Sequence, residues 1–439
     1  MIKRRTRWGI TSAAALLLAA ACGSDNSTGT ATTAAAAGAT TTAAQAAATT
    51  SATTNGATTA ASTTTAAAPT GKSIKIGTLT SLTGNFAAWG VQVRDGMKLA
   101  VDEINAAGGV KGSKLELMVS DDQSKPDVGT TEIQRLIDGG AVAIGGIISS
   151  DVGLATARLA EEQTTPLFLV KAGSEKILTQ ASRYTFRTCL PAAPMVAGPI
   201  AQYVKSKGIT KVGAIIADYA WGQSIKAALE KEIGALGGVQ LQVEVAPVPE
   251  KDFTTYLRSL QQFGAELIVA TGHPPGSAAI TVQSKDLGLD VPVTGAYSVW
   301  ESVMSGAPDA AIGRYADFDC ADYTSPAYQD LAKKYLAASD NKFMDDDAVA
   351  GYGIVKMVAQ AVGAVGADPK AVATYLHGQT FDLPGYSFKM GWTAWGELAT
   401  AQPLFTIASA GPAPAGVNDA GTWYPQKLLL PDPLPPYSP

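Results

Sequence analysis

The stretch Ser73–Val119, SIKIGTLTSLTGNFAAWGVQVRDGMKLAVDEINAAGGVKGSKLELMV, decides how the rest of the chain reads. Ile74-Lys75-Ile76-Gly77-Thr78-Leu79 is a short apolar and β-branched run, which predicts a strand. Val93, Met97, Ala100, Val101 and Ile104 then recur at three- and four-residue spacing, the signature of one helix face. Gly108-Gly109 stops that helix, and Leu115–Val119 begins a second strand. A strand, a one-sided helix and another strand in quick succession form the unit of a parallel sheet covered by helices.

The unit repeats. A helix around Asp127–Asp138, an apolar run Val142–Ile148, a helix near Asp151–Glu162 and a strand Leu167–Val170 follow. Near Pro191 the pattern restarts with a helix over 191–206 and a strand Val212–Ile216. Ile225, Leu229, Ile233 and Leu236 then line one helix face. Strands at Leu241–Val245, Leu267–Ala270 and Val291–Thr294 alternate with helices at Tyr256–Phe263 and Ile280–Leu287. Three later helices (Tyr328–Ala338, Ala348–Val365, Pro369–Leu376) return without an equal set of strands and are read as completing the first unit. The fold class is therefore α/β: two doubly wound parallel-sheet lobes with a cleft where strand ends face each other.

Composition fits this reading. The chain has 439 residues, 46% hydrophobic and 16% charged, too long for one ordinary core. The net charge is −5, so no basic footprint suggests nucleic acid. Two His (His273, His377) and three Cys cannot build a His- or Cys-rich metal centre, and no metal or cofactor is expected.

Residues 1–21 look like an address. Lys3, Arg4, Arg5 and Arg7 precede the short apolar run Ile10–Ala21, which ends in small residues before Cys22. This resembles a lipoprotein signal, with Cys22 as the lipidated N-terminus; the alternative is an ordinary secretory signal beside an incidental Cys. Ala19 departs from the Leu usual in such signals. Removing residues 1–21 takes away four basic residues and no acidic one, so the net charge falls to −9. Residues 22–72 read as a tether: 32 of the 38 residues from Ala31 to Ala68 are Ala or Thr, with no apolar face. Such a flexible segment spans roughly 40 Å root-mean-square.

The body resembles a known family, the branched-chain amino-acid-binding (leucine/isoleucine/valine-binding) proteins of ABC importers, with a periplasmic-binding-protein type I fold. The pieces that carry this are Ile76-Gly77 through Leu82-Thr83-Gly84, Trp89-Gly90, Gly96, Asp102-Glu103-Ile104-Asn105, Gly108-Gly109-Val110 and Asp121-Asp122. They continue in order with Gly145–Ser150, Pro166-Leu167, Phe186-Arg187-Thr188, Asp218-Tyr219-Ala220-Trp221-Gly222 and Asp252-Phe253. The resemblance implies three crossover segments, near Thr188–Leu190, Asp317–Cys320 and Pro403–Thr406. It divides the body into residues 73–189 plus 319–403 (lobe 1) and 190–318 plus 404–439 (lobe 2). It also implies lobe closure on a small-molecule solute, docking of the closed form on ABC permease subunits, and a monomer held outside the cytoplasm on a membrane by its lipid anchor. Cys189 and Cys320 would both sit on hinge segments and, in an exported protein, pair as a disulfide worth on the order of 4 kcal/mol; two free buried thiols are the alternative.

The same resemblance points to a ligand site. Ser149 and Ser150 match ligand-carboxylate contacts; simple capping of the following helix is the alternative, and both roles can coexist. Lys171-Ala172-Gly173 lies on the loop that shares this role. Lys171 replaces a small residue and either strengthens anion binding or points to solvent. Trp89 and, from the other lobe, Tyr219 and Trp221 would wall the pocket, with core packing as the plainer role. His273 either donates to a ligand or satisfies a loop carbonyl. Tyr297 stands where amino-acid binders carry an acid that pairs with the ligand ammonium. A tyrosine supplies no such charge, and a buried ammonium needs one. The expected solute is thus a carboxylate or amide, branched-chain amino-acid-like or aromatic, unless Glu301 or Asp346-Asp347 reaches the cleft. Asp345-Asp346-Asp347 itself reads as a solvated helix N-terminus, where acids complement the dipole. The motifs of serine hydrolases, zinc peptidases, dinucleotide turns and phosphate loops are not found in workable positions, so an enzyme is not expected. A ligand sensor that passes its closed form to a signalling partner is the alternative to an importer subunit.

Overall fold

The computed structural model describes residues 71–439 apart from 272–273, 307, 400, 402–403, 420 and 430–434. The signal segment, Cys22 and the tether as far as residue 70 lie outside these residues, as does His273.

The first sheet grows directly from the opening stretch. β1 (Ile74–Thr80) leads into α1 (Ala87–Ala106), which buries Trp89, Val93, Met97, Ala100 and Val101. β2 (Leu115–Asp121), α2 (Pro126–Asp138), β3 (Ile144–Ile147), α3 (Ser150–Glu162), β4 (Leu167–Leu169) and β5 (Thr185–Arg187) follow. The strands are parallel in the order β2-β1-β3-β4-β5. β5 was not anticipated; it is only three residues long. The chain then enters a second sheet through α4 (Ala193–Lys207), β6 (Lys211–Ala217), α5 (Ala220–Gly234), β7 (Gln240–Ala246), α6 (Thr254–Phe263) and β8 (Leu267–Thr271). It continues through α7 (Pro274–Asp286), β9 (Val293–Thr294), α8 (Trp300–Gly306), α9 (Pro308–Ala311) and β10 (Tyr315–Asp319). Next, α10 (Pro326–Ala338), α11 (Asp346–Val365) and α12 (Pro369–His377) return to the first sheet, and β11 (Leu404–Ala410) and β12 (Trp423–Leu429) rejoin the second.

That second sheet has seven strands in the order β12-β11-β10-β9-β8-β6-β7. Its last two strands run antiparallel, a departure from the all-parallel expectation. An antiparallel pair needs only a short connection and no covering helix, so nothing in the helix–strand alternation announces it. The chain thus crosses between the sheets three times: after β5, after β10 and before β11.

α11 is the core helix of the first lobe. It is long and apolar enough to cross a membrane, yet most of it is buried inside the protein. It lies flat on α1 because glycines remove the side chains between them. A Cβ on Gly96 would strike the Ala348 carbonyl, and one on Gly351 would strike that of Val93. This close approach carries the N-terminus of α11, with Asp345, Asp346 and Asp347, down to the floor of the cleft.

Candidate functional site

The loop after β4 is the centre of the site. Arg187, fully buried at the end of β5, donates to the Ala172 carbonyl and, at 2.7 Å, to that of Ser174. Its remaining charge meets Glu397 at 2.8 Å. A guanidinium is suited to this, because its fixed fork holds two carbonyls and a carboxylate at once. Arg187 therefore sets the loop 171–174 and was not singled out from sequence. Ser150 Oγ accepts from Ser174 N at 3.1 Å, tying the loop to the start of α3. Ser149 occupies the N-cap position of α3 without a side-chain capping bond.

Lys171 does not reach solvent. It is 4% exposed, with Nζ 2.8 Å from Asp346 Oδ1 and 3.6 Å from Asp347 Oδ2. It also donates to the Tyr297 carbonyl across the cleft at 3.0 Å and lies 5.0 Å from the centre of the Tyr297 ring. Burial alone would pull its ammonium down, but Asp346 and Asp347 override this and hold it above the usual lysine range. The reading of Asp345–Asp347 as a solvated helix start is corrected here: all three are fully buried. Asp345 Oδ1 accepts from Trp300 N at 2.9 Å, another bond between lobes, while both oxygens of Asp347 lack a hydrogen-bond partner.

Two more buried acids stand behind them on β10. Asp317 accepts from Tyr297 N at 2.7 Å, Ser298 N at 2.8 Å and the Tyr315 hydroxyl at 3.0 Å. Asp319 accepts from Thr406 at 2.6 Å and from Tyr323 at 3.2 Å. Five carboxylates and one ammonium cannot all be charged away from water. Burial pushes Asp317 up to about 7, and burial with neighbouring carboxylates raises Asp319, Asp345 and Asp347 as well.

Tyr297 takes a left-handed backbone, φ 61°, unusual for a residue with a side chain. Its ring is buried and its hydroxyl has no hydrogen-bond partner among the described residues. Trp221, at the start of α5, is 2% exposed and donates Nε1 to Thr271 at 3.1 Å. Its ring sits on Gly173: any Cβ there would collide with the indole and with Leu190. The lobes also meet through Ser174 and Ser224 hydroxyls at 2.8 Å and through Asp151, which accepts from Ala220 N at 3.1 Å. Trp89 and Tyr219 lie further out, both against Phe86, with ring centroids 5.7 and 5.2 Å from it. Cys189 and Cys320 are joined in a disulfide, with Cα atoms 5.2 Å apart, and tie the first two crossings together. Asp346 completes a metal-like trio with them, but both sulfurs are spent on each other.

A large cavity among the described residues lies away from Lys171. It measures about 620 Å³ and lies nearer the cleft mouth, between Gly84, Asn85, Ala87 and Ala88 of the first lobe and α7 and α8 of the second. A neighbouring cavity of about 360 Å³ continues along α1 past Val91 and Gln92 to Glu301 and Asn341. Sequence reading found neither, since many of their wall residues are ordinary alanines and serines.

Known proteins share this fold. The chain is 27% identical over 320 residues to the leucine-, isoleucine-, valine-, threonine- and alanine-binding protein of Pseudomonas aeruginosa, covering 71% of this chain and 84% of that one. A solute-binding protein from R. palustris, solved with benzoate, superposes with a TM-score of 0.71 at 20% identity, over 83% of this chain and 98% of that one. The branched-chain amino acid transporter substrate-binding protein of Streptococcus pneumoniae, solved with isoleucine, gives 0.69 at 21%, over 81% and 100%. A family model described as periplasmic binding protein matches residues 73–412, and with two crossover-linked lobes facing each other over a shared cleft, this chain belongs to the periplasmic binding protein family.

Proposed function

We propose that this chain is the extracytoplasmic solute-binding lipoprotein of an ABC importer, anchored through Cys22, and that its lobes close on a small carboxylate- or amide-bearing solute. The observation that carries this reading is the set of side chains from both lobes that meet across the cleft: Lys171 with Tyr297, Ser174 with Ser224, and Trp221 on Gly173. Contacts made only when the lobes meet are what a solute must bias to shift the protein toward its closed form.

The solute class follows from charge. Asp346 and Asp347 do reach the cleft, but they face Lys171 rather than an open space. Tyr297 brings no charge of its own. An ammonium-free acid or amide is therefore favoured, and the solved solute-binding protein that holds benzoate supports this reading. A second reading rests on the oxygens of Asp347, which accept no hydrogen bond among the described residues and suit an amino-acid ammonium, and the Pseudomonas relative is named for amino-acid binding.

Thermal stabilisation of the full chain against ammonium-free acids, amides and amino acids separates the two. At a hundredfold over its dissociation constant a ligand adds roughly 2.7 kcal/mol. Stabilisation by acids or amides alone supports the first reading. Stabilisation by leucine or alanine replaces it with the second. The anchor is tested separately: Cys22→Ser should move the chain from the membrane fraction to the soluble one, and no change would refute lipidation.

A further inference from the structure

We propose that the solute binds in the outer chamber rather than against Lys171, as an acid whose apolar body lies between α1 and α7 and whose carboxylate faces Lys251. This rests on the importer reading above and specifies where and what the cleft binds.

The inner end of the cleft is already occupied by the protein. The Lys171 ammonium is satisfied by Asp346, Asp347 and the Tyr297 carbonyl. The Trp221 ring covers Gly173, so the loop backbone there is sealed. A carboxylate entering beside Lys171 would have to displace Asp346 and then sit among five buried carboxyl groups. That cost is electrostatic and unfavourable in a dry site.

The outer chamber has the opposite character. Ala87 and Ala88 on α1 face Ala278, Ala279 and Val282 on α7, and these small side chains leave the space of about 620 Å³. Such a volume, mostly apolar with a few polar groups at its edge, suits a small organic ligand. Both lobes contribute walls, so an occupant would hold them together, as solute capture requires.

The polar edge gives the orientation. Lys251 lines the chamber and makes no ion pair among the described residues. The neighbouring acids are turned to backbone instead: Glu250 accepts from the N–H groups of Lys251 and Asp252, and Asp252 from that of Thr254. Gln283 fixes the segment in place, since its amide donates to the Lys251 carbonyl at 2.8 Å and accepts from Phe253 N at 2.7 Å. At the other end of the groove Glu301 lines the adjoining cavity and disfavours an anion there. The acid group is thus drawn to the Lys251 end and the apolar body points toward the seam of α1 and α8.

Calorimetric titration of the full chain with benzoate, octanoate and octanamide tests this, with Lys251→Glu and Ala88→Leu as variants. Lys251 is exposed, so its substitution does not threaten folding; the melting temperature of unliganded Ala88→Leu checks the other. Lys251→Glu should weaken whichever acid binds by about tenfold, a free-energy change of about 1.4 kcal/mol, and leave octanamide unchanged. Ala88→Leu, if folded, should weaken octanoate more than benzoate, because it shortens the chamber. Unchanged acid binding in Lys251→Glu overturns the outer-chamber assignment while leaving the importer reading intact. If the wild-type chain binds neither acid but is stabilised by another solute, the ligand class proposed here falls; if no solute stabilises it, the importer reading falls too.

Discussion

The two ends of the cleft are built on contrary principles. The inner end packs five aspartates, a lysine, two tyrosines and a tryptophan into a buried space crossed by bonds between the lobes. The outer chamber is walled largely by alanines, with Lys251, which makes no ion pair among the described residues, at its rim. The inner end holds lobe to lobe through directional bonds that depend on each partner. The outer end has little internal structure to lose. Stability should therefore be concentrated at the inner end, and selectivity at the outer.

The strongest test of this contrast is Asp346→Ala. It strips the buried Lys171 of its nearest carboxylate, and breaking a buried pair costs about 3–5 kcal/mol. Urea unfolding should show a loss in that range; a loss under about 1 kcal/mol would mean the inner end is hydrated and the contrast is false. Removal of the crossover disulfide comes next. Cys189→Ser/Cys320→Ser together free a sequence separation of 131 residues and should cost about 2–4 kcal/mol. Equal unfolding midpoints for the double variant and the parent would show that the bridge does not constrain the unfolded chain.

A smaller effect comes from pH. Asp317 has a folded pKa near 7, above its ordinary value, because burial disfavours its charged form. The folded state therefore holds its proton more tightly. The stability this brings is complete below pH 3.8 and is lost as pH rises through about 7, with Asp319, Asp345 and Asp347 acting in the same direction. From pH 5 to pH 8 the loss assigned to Asp317 is on the order of 2–3 kcal/mol, and Asp317→Asn should flatten the curve over that window. A melting temperature that climbs across it in the parent would contradict the assignment. The smallest effect belongs to the outer wall: Ala279→Ser should change unliganded stability by no more than about 0.5 kcal/mol. A larger loss would mean that the wall is core, not chamber.

Much of the first lobe can be read in the chain itself. β1 announces itself as a short apolar, β-branched run and α1 by its 3.6-residue period, both local properties of the chain. β11 and β12 do not: Leu404–Ala410 becomes a strand by pairing antiparallel with β10, a partner set by topology rather than by local pattern. Among the site residues, Ser150, Lys171, Gly173, Trp221 and Tyr297 do meet at the inner end of the cleft. Arg187 gave no signal beyond lying in a recognisable segment, because its role depends on two carbonyls and on Glu397, 210 residues away.

Asp345-Asp346-Asp347 marks where local reading stops. By itself, an acidic run at a helix start says only that negative charge suits the dipole, and most such runs face water. The local pattern is enough to establish the helix, its start and the alternation that makes two lobes. Only the folded chain places that start beneath glycine-mediated packing with α1 and brings Lys171, 175 residues from Asp346, to within 2.8 Å. Periodicity is a property of neighbours along the chain. The fate of a charge depends on burial and on partners distant in sequence, and tertiary structure alone decides it.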